Sequence, residues 1–396
     1  MSNSEKTPVL LSATRTPIGR YMGGLAKLQA TELGSIVIRE AVTRAGIEHG
    51  AVDEVIMGNV LQGGEGQAPA RQAAVHAGIP GIVPSLTVNK VCGSGLKAVM
   101  LAAQAVKAGD ARCVIAGGME SMSNTPHYVR GMREGIKFGH QQLTDGLIHD
   151  GLWCSFGDCH MGGHAEYTAV KAQITRAEQD QFSLESHRKA VDAIENCRFS
   201  TEIVPVEVRG RKETTVVKTD ESPRKDTTLE TLGKLRAAFE KDGTVTAGNA
   251  PGLNDGASAL VVASQAFAEA HGLEILAYVR NYATGGGEPR DLFFAPIVAV
   301  QHLMKKDGSD IDDYDLIEAN EAFAVQALAD GKALGWNWDR VNVNGGAVAL
   351  GHPIGASGAR ILTTLLHAMQ QRDVAQGLAT LCLGGGNAVA LSVERK

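Results

Sequence analysis

The strongest constraint on the fold is a similarity between two segments that lie far apart in the sequence. Residues 91–98 (VCGSGLKA) and residues 354–361 (IGASGARI) both enter a helix through a turn of small residues. Each helix is followed by a short apolar strand that ends in glycines, at residues 116–118 and 383–386. The shared segment is short, so chance similarity is the alternative, but a duplicated α/β half is the best single explanation.

Three parts of the chain differ in their pattern of strands and helices. The opening third alternates short apolar strands with helices, one of which would be capped by Thr31 and would end at Gly46. The middle is richer in charge and contains a predicted helix over residues 176–196 with Thr175 as its cap. The last third resumes the opening pattern. The sequence therefore predicts a layered α/β fold with an insertion in the middle.

Composition argues against several classes of protein. With 396 residues, 44% of them hydrophobic, the chain can bury a sizeable core. A net charge of -6 gives no general electrostatic reason to bind nucleic acid or an anionic membrane. No apolar stretch approaches the roughly 20 residues that a membrane span needs. We expect no secretory signal, and the 6 cysteines lack a framework spacing, which predicts reduced thiols and a cytoplasmic location.

Cys92 and His352 are the first candidates for chemistry. Cys92 follows a strand-like run and precedes a glycine-flanked turn and a helix, whose dipole would favour the thiolate and whose N–H groups could hold an oxyanion. A buried structural cysteine is the alternative, and a phosphate cradle would need a fuller glycine pattern. His352 lies between Gly351 and Pro353 with little conformational freedom, which suits a base or an oxyanion donor. A turn histidine bonded to backbone is equally consistent.

Two further segments place polar or reactive groups at the ends of predicted strands. Cys382 precedes three glycines beginning at Gly384, which would let a ligand or another backbone approach closely. It is interpreted as a second proton-transfer group, with a disulfide to Cys92 as the alternative. Asn320 follows the strand at residues 316–318, where polar side chains often line sites in α/β folds. A helix N-cap is compatible with that role.

A metal site is not expected. Cys154, Cys159 and His160 lie close together, but their spacing fits no structural zinc pattern and a fourth ligand is not evident. His160 is therefore interpreted as a pocket residue.

At four segments taken together, the sequence resembles the thiolase family over nearly its whole length. The segments are residues 89–95 (NKVCGSG), 320–323 (NEAF), 351–358 (GHPIGASG) and 382–386 (CLGGG). Each alone is a modest match, but four in this order are highly specific. Further matches occur at residues 117–123 (GGMESMS) and 247–250 (AGNA).

The resemblance implies a duplicated five-layered α/β thiolase fold with two similar βαβαβαββ halves. The N-terminal half would cover residues 1–121, completed by about 254–275, and the C-terminal half residues 276–396. An inserted loop domain, residues 122–253, would bind coenzyme A. Members of the family are usually dimers or tetramers, and we expect a homotetramer built as a dimer of dimers.

The resemblance also implies a role for each candidate residue. Cys92 would be acylated after His352 deprotonates it, and Cys382 would move the proton at C2 of the second substrate. One oxyanion hole would consist of His352 and a water held by Asn320, and the other of the N–H groups of Cys92 and Gly384. These residue types suit the chemistry, because a thioester exchanges readily with a thiolate and an enolate needs a base and donors.

The same resemblance implies substrate contacts, which would come from His160, Met161, Arg224, Phe239, Ala247 and Phe323. One departure from many relatives is Pro251, where others have Ser, so a polar contact to the pantetheine does not transfer. No tightly bound cofactor is expected, only coenzyme A thioesters as substrates.

Residues 356–358 (ASG) look more like the short-chain acetoacetyl-CoA type of the family than the broad degradative type. We therefore expect a transferase of fatty acid metabolism. It would condense two acetyl-CoA to acetoacetyl-CoA and free coenzyme A, or cleave 3-ketoacyl-CoA. The alternative within the family is a broader-chain 3-ketoacyl-CoA thiolase of β-oxidation. A ketoacyl synthase would not need Cys382, and a non-catalytic acyl-CoA-binding protein would need no nucleophile.

Overall fold

The structure is a computed structural model that describes residues 3–396. Before residue 122 it has strands β1 (Pro8–Arg15), β2 (Gly19–Arg20), β3 (Glu54–Gly58), β4 (Ser85–Val88) and β5 (Cys113–Ser121). The helices of this part are α1 (Asn3–Lys6), α2 (Ala30–Ala45), α3 (Pro69–His76) and α4 (Ser94–Ala108).

Both ends of α2 test a prediction from the sequence. Gly46 ends the helix in a left-handed conformation with φ of 66°, as predicted. The predicted cap at Thr31 is wrong, because Gln29 is the N-cap and its N–H donates to the Glu32 carboxylate at 2.8 Å. Thr31 lies inside the helix.

The middle of the chain consists of short elements outside the large sheet. The strands are β6 (His127–Tyr128), β7 (Thr144–Asp145), β8 (Trp153–Cys154), β9 (Cys159–His160), β10 (Val206–Arg209) and β11 (Thr214–Val217). They pair as separate two-stranded sheets. The helices are α5 (Met161–Ala172), α6 (Arg176–Glu195) and α7 (Leu229–Gly233). Thr175 caps α6 through a capping box with Glu178, which confirms the predicted start of that helix.

The last part returns to long strands with covering helices. Its strands are β12 (Asn254–Ser264), β13 (Ala277–Gly286), β14 (Leu316–Ala319), β15 (Gln376–Leu383) and β16 (Asn387–Glu394). Its helices are α8 (Gln265–Ala270), α9 (Ala295–Asp307), α10 (Ala324–Leu334), α11 (Ala347–Leu350) and α12 (Ile354–Arg372). Within the described residues, no helix is long and apolar enough to cross a membrane.

The large sheet repeats one strand order. Strands β3, β5, β12 and β1 lie side by side, with β3 parallel to β5 and the other two pairs antiparallel. Strands β14, β15, β16 and β13 repeat this order and these directions. The two sets join where Val9 of β1 pairs with Tyr278 of β13. The duplicated α/β architecture predicted from the repeated segment is therefore confirmed.

The helices complete a layered arrangement around the two strand sets. Helices α4 and α12 pack against each other in the middle and share one core with both sets. Helices α2 and α3 cover the outer face of the first set, and α9 covers the second. The fold thus has five layers, with helices in the first, third and fifth.

Glycines explain why α4 and α12 approach so closely. A Cβ added at Gly95 would lie 2.7 Å from the backbone nitrogen of Ala359, and one at Gly358 would collide with the backbone nitrogen of Leu96. The small residues of the repeated segment are therefore required by backbone-to-backbone packing. Because each segment begins its helix, this contact brings the turns before α4 and α12 together.

Candidate active site

Cys92 lies in a tight turn between β4 and α4. The strand ends at Val88, earlier than predicted, and Val91 adopts a left-handed conformation with φ of 46°. The turn is held by Ser94, whose hydroxyl accepts a hydrogen bond from the Lys90 N–H at 2.8 Å and donates to the Val91 carbonyl at 2.6 Å. A strained residue held by such bonds presents the next side chain at a defined position.

The resting thiol of Cys92 is protonated. Burial raises its pKa to about 12, and the nearby carboxyl of Glu120 acts in the same direction. The N–H groups of Cys92 and Gly384 point at the sulfur and oppose this shift. The expectation that the helix dipole favours the thiolate is therefore wrong for the resting protein, since desolvation outweighs the local dipoles. A base must take the proton when Cys92 reacts.

His352 is a neutral imidazole with a free acceptor nitrogen. Its Nδ1 lies 2.6 Å from the Ser357 hydroxyl, which itself donates to the Pro353 carbonyl at 2.8 Å. Nδ1 must therefore be the donor in the first bond, which leaves Nε2 unprotonated. Nε2 is buried and has no hydrogen-bond partner among the described residues. Burial, aided by the positive charge of Arg360, lowers the pKa of His352 to about 3.

The position of His352 depends on Asn254, the first residue of β12. The His352 N–H donates to the side-chain oxygen of Asn254 at 2.9 Å. Gly351 has φ of 108°, and a Cβ there would lie 2.5 Å from the Asn254 amide, so only glycine fits between them.

Cys382 is the last residue but one of β15 and lies beside Cys92. Burial raises its pKa well above the usual value, and the adjacent Cys92 acts in the same direction. Both thiols are free, as are the other cysteines of the described chain. The next glycine, Gly384, directs its N–H toward the Cys92 sulfur. The two segments thus bring two thiols and one backbone donor together.

Asn320 is fully buried, and unlike the neighbouring Ala322 and Phe323 it does not line the cavity that contains Cys92. Neither polar atom of its side-chain amide has a partner among the described residues. Asn320 is not the cap of α10, because Phe323 takes that position. The adjacent Glu321 anchors this loop by accepting hydrogen bonds from Ser186, Asn342 and the Val348 N–H. Buried amides of this kind are usually satisfied by an ordered water.

These side chains surround a cavity of about 440 Å³. Of the residues predicted from the sequence, it is lined by Cys92, His160, Met161, Phe239, Phe323, His352, Cys382 and Gly384. The sequence analysis missed most of its apolar wall, which includes Tyr21, Met122, Leu147, Leu292 and Phe293. These residues come from turns and short irregular helical segments, and no local motif distinguishes them from ordinary packing residues.

A second cavity, of about 370 Å³, contains the other two predicted contacts, Arg224 and Ala247. It shares the wall residues Tyr21, Ala250, Gly252 and Leu253 with the first, so the two spaces adjoin. The outer space is lined by Arg20 and Arg224 against one carboxylate, Asp226, so its net charge is positive, whereas the inner one is mostly apolar. The arrangement suits a long ligand with an anionic outer end and a reactive inner end.

The pH dependence of Cys92 alkylation tests the protonation states. With a thiol pKa of about 12, the rate with iodoacetamide should rise about tenfold per pH unit between about pH 7 and about pH 10. Peptide mapping would measure the rate at Cys92, with the exposed Cys197 labelled in parallel to monitor the reagent. If the alkylation rate of Cys92 instead stopped rising below about pH 8, Cys92 would be a thiolate paired with the imidazolium of His352.

Comparisons with known proteins agree over the whole chain. The family profile described as "Thiolase, N-terminal domain" matches residues 8–266, and "Thiolase, C-terminal domain" matches residues 273–395. Two proteins named acetyl-CoA acetyltransferase, from Pseudomonas aeruginosa and Escherichia coli, are each 54% identical, and each alignment covers 98% of this chain and 99% of the relative. The crystal structure of the Bacillus anthracis acetyl-CoA acetyltransferase superposes with a TM-score of 0.97 at 41% identity, covering 99% of this chain and 100% of that one.

Proposed function

The chain belongs to the thiolase family, and from that premise we propose that it condenses two acetyl-CoA to acetoacetyl-CoA and free coenzyme A. The observation that supports this activity best is the placing of two thiols, Cys92 and Cys382, beside the free Nε2 of His352 in one cavity. The family makes the chain an acyltransferase that acts on coenzyme A thioesters.

In the first half-reaction, Cys92 attacks the thioester carbon of acetyl-CoA. Nε2 of His352 takes the Cys92 proton, which it can do because the imidazole is neutral at rest. The N–H groups of Cys92 and Gly384 stabilise the developing oxyanion. Cys382 is a thiol at rest and protonates the departing coenzyme A thiolate, so Cys382 becomes the thiolate.

In the second half-reaction, the Cys382 thiolate removes the C2 proton of a second acetyl-CoA. The enolate oxygen is held by His352, now protonated, and by a water bound to the buried amide of Asn320. Attack of the enolate carbon on the acyl group forms the new C–C bond and breaks the bond to Cys92. The Cys92 sulfur regains its proton from His352, and all three groups return to their starting states.

Substrate binding uses the adjoining cavities. Residues 122–253 form a loop domain that holds coenzyme A, with Arg224 at the anionic end and Ala247 along the wall of the outer space. His160 and Phe239, whose rings stack at 4.9 Å between centroids, form part of the inner wall with Met161. Pro251 also lines the inner space and contributes apolar contact, since it has no N–H.

Acyl chain length separates this proposal from a broader-chain 3-ketoacyl-CoA thiolase. The apolar wall of the inner cavity of about 440 Å³ includes the large side chains Leu147, Leu292 and Phe293, which favours a short acyl chain over a long one. In a thiolysis panel, acetoacetyl-CoA should give a kcat/KM at least about tenfold above that of 3-ketooctanoyl-CoA. Equal kcat/KM values for the two substrates would favour the broader-chain thiolase. Thiolysis of 3-ketoacyl-CoA by this enzyme would link it to fatty acid metabolism.

We propose that the chain assembles into a homotetramer, and an exposed apolar loop supports this proposal. The loop over residues 129–148 exposes several large apolar side chains, namely Met132, Ile136, Phe138, Leu143 and Ile148. Leu147, by contrast, is buried and lines the inner cavity. Six cysteines without disulfides are consistent with a cytoplasmic location for this assembly.

Light scattering of Phe138→Asp tests the tetramer. The unmodified protein should give a mass of four chains at micromolar concentration, and the substitution should lower it, because a charge would be buried at the contact. Val170→Asp is the matched control, since Val170 is also an exposed apolar residue but lies on α5. A monomeric mass for the unmodified protein would end the proposal.

A further inference from the structure

Two cysteines outside the proposed chemistry face each other across a short hairpin. In the pair formed by β8 and β9, Cys154 is directly opposite Cys159. Directly opposed residues of an antiparallel pair have Cα atoms about 4.5–5.5 Å apart and side chains on the same face. A disulfide requires Cα atoms about 4.4–6.8 Å apart. The backbone of this hairpin therefore already satisfies the main geometric requirement for a disulfide.

Both sulfur atoms also lie against the same residue of the connecting turn. The Cys154 sulfur accepts a hydrogen bond from the Gly157 N–H at 3.3 Å. A Cβ built on Gly157 would lie 3.3 Å from the Cys159 sulfur. The two thiols are close enough that the negative charge of one raises the pKa of the other, after the larger effect of burial at Cys159.

A buried base lies beside this pair. Nε2 of His164 would be 3.1 Å from the same Cβ position on Gly157, and it has no hydrogen-bond partner within the described chain. His164 is only 4% exposed, and burial lowers its pKa, so the ring is neutral and Nε2 can accept a proton. A neutral imidazole next to a thiol can promote formation of the thiolate that attacks a disulfide.

The two thiols differ in access. Cys159 is half-buried and adjoins the exposed turn formed by residues 155–158. Cys154 is 3% exposed, but it lines an open cavity of about 650 Å³ that also reaches Gly384. A small oxidant can therefore reach Cys159 first, and Cys154 is placed to resolve the product.

We propose that Cys154 and Cys159 form a reversible disulfide when the protein meets a low-molecular-weight disulfide as oxidant. Cys159 loses its proton, and its sulfur attacks one sulfur of the oxidant to form a mixed disulfide; the displaced thiolate takes up a proton and leaves as one thiol. Cys154 then loses its proton to His164 and attacks the Cys159 sulfur, which releases the second thiol as that proton is passed on. Two protein thiols are oxidised and one external disulfide is reduced to two thiols.

The cross-link would act on the wall of the catalytic cavity. His160, next to Cys159, lines that cavity together with Met161. On the other side of the turn, Phe156 lies 3.4 Å from the position of a Cβ on Gly385, next to Gly384. A disulfide between Cys154 and Cys159 would restrict the backbone of the hairpin, and with it the positions of His160 and Phe156. Because small misplacements of a site lower turnover, oxidation should reduce kcat about threefold or more, reversibly.

Peptide mapping of the full-length protein after incubation with oxidised glutathione tests the cross-link. The expected product lacks the mass of two hydrogen atoms, carries no glutathione, and joins residues 154 and 159. In Cys154→Ser, the resolving thiol is missing, so a stable glutathione adduct should remain on Cys159. An adduct on Cys159 of the unmodified protein with Cys154 still free would overturn the proposal, as would oxidation confined to Cys92, Cys382 and Cys197.

Activity measured on the same samples tests the consequence. The loss of kcat should be restored by dithiothreitol and should be absent in Cys159→Ser, whereas Cys197→Ser, the exposed control, should behave like the unmodified protein. An unchanged kcat in fully cross-linked protein would overturn the regulatory effect. The mapping needs no enzyme activity, so its result is independent of the proposed acyl transfer.

Discussion

Cys92→Ala is expected to abolish acyl-enzyme formation and to lower kcat for condensation by about 10⁴-fold or more. The reason is that the acyl group has no other covalent carrier: Cys382 is buried, holds its proton strongly and is assigned to the departing thiolate and to C2. Radiolabelled acetyl-CoA would measure the first effect, as label retained on the denatured protein, and initial rates of acetoacetyl-CoA formation would measure the second.

The matched control for this substitution is Cys197→Ala. Cys197 is exposed and lies outside the cavity, so its variant should retain label and rate. If Cys92→Ala still accepted label, another group would be the nucleophile, with Cys382 the first to test, and the assignment of Cys92 as acyl carrier would be wrong.

Cys382→Ala is expected to separate the two half-reactions. Condensation should fall by about 10²–10⁴-fold, the usual contribution of a positioned acid or base, because no group remains to remove the C2 proton. Acetylation of Cys92 should persist at a reduced rate, since water can protonate the departing thiolate less efficiently than Cys382. The measurements are acetyl labelling and deuterium exchange at C2 of acetyl-CoA in heavy water.

Deuterium exchange is the decisive measurement for Cys382. Near-normal exchange in Cys382→Ala would assign the C2 base to another residue, with His352 the first to test. A packing role predicts a different result, namely lower thermal stability with both half-reactions nearly intact. Cys382→Ser separates size from chemistry, because it restores most of the volume but not the acidity of a thiol.

The architecture was largely predictable because its strongest signals are local or repeated. The small residues at 91–98 and 354–361 predicted two similar α/β halves, and packing of α4 on α12 through Gly95 and Gly358 shows why small residues are needed there. The caps at Gly46 and Thr175 were likewise predicted correctly, since each depends on a few adjacent residues. Thr31 failed as a cap because the helix begins earlier, with Gln29 as its N-cap, so Thr31 already lies in the first turn.

The candidate site was predictable in its residue types but less so in its electrostatics. The motifs brought Cys92, His352, Cys382 and Gly384 to one cavity, where the Gly384 N–H points at the Cys92 sulfur, whereas Asn320 is buried outside the cavity lining. The protonation state of Cys92 was predicted wrongly, because a local helix dipole suggested a thiolate. Burial by segments distant in the sequence raises the pKa of that thiol instead.

The sequence by itself therefore determined the family, the duplicated α/β fold and the candidate reactive groups, because these depend on short patterns along the chain. Only the tertiary structure decided the protonation states and the surroundings of those groups. Ser357 directs the proton of His352 to Nδ1, burial keeps Cys92 and Cys382 protonated, and unrelated loops form the apolar wall. Such properties depend on which atoms exclude water from a group, and that is known only once distant segments have come together.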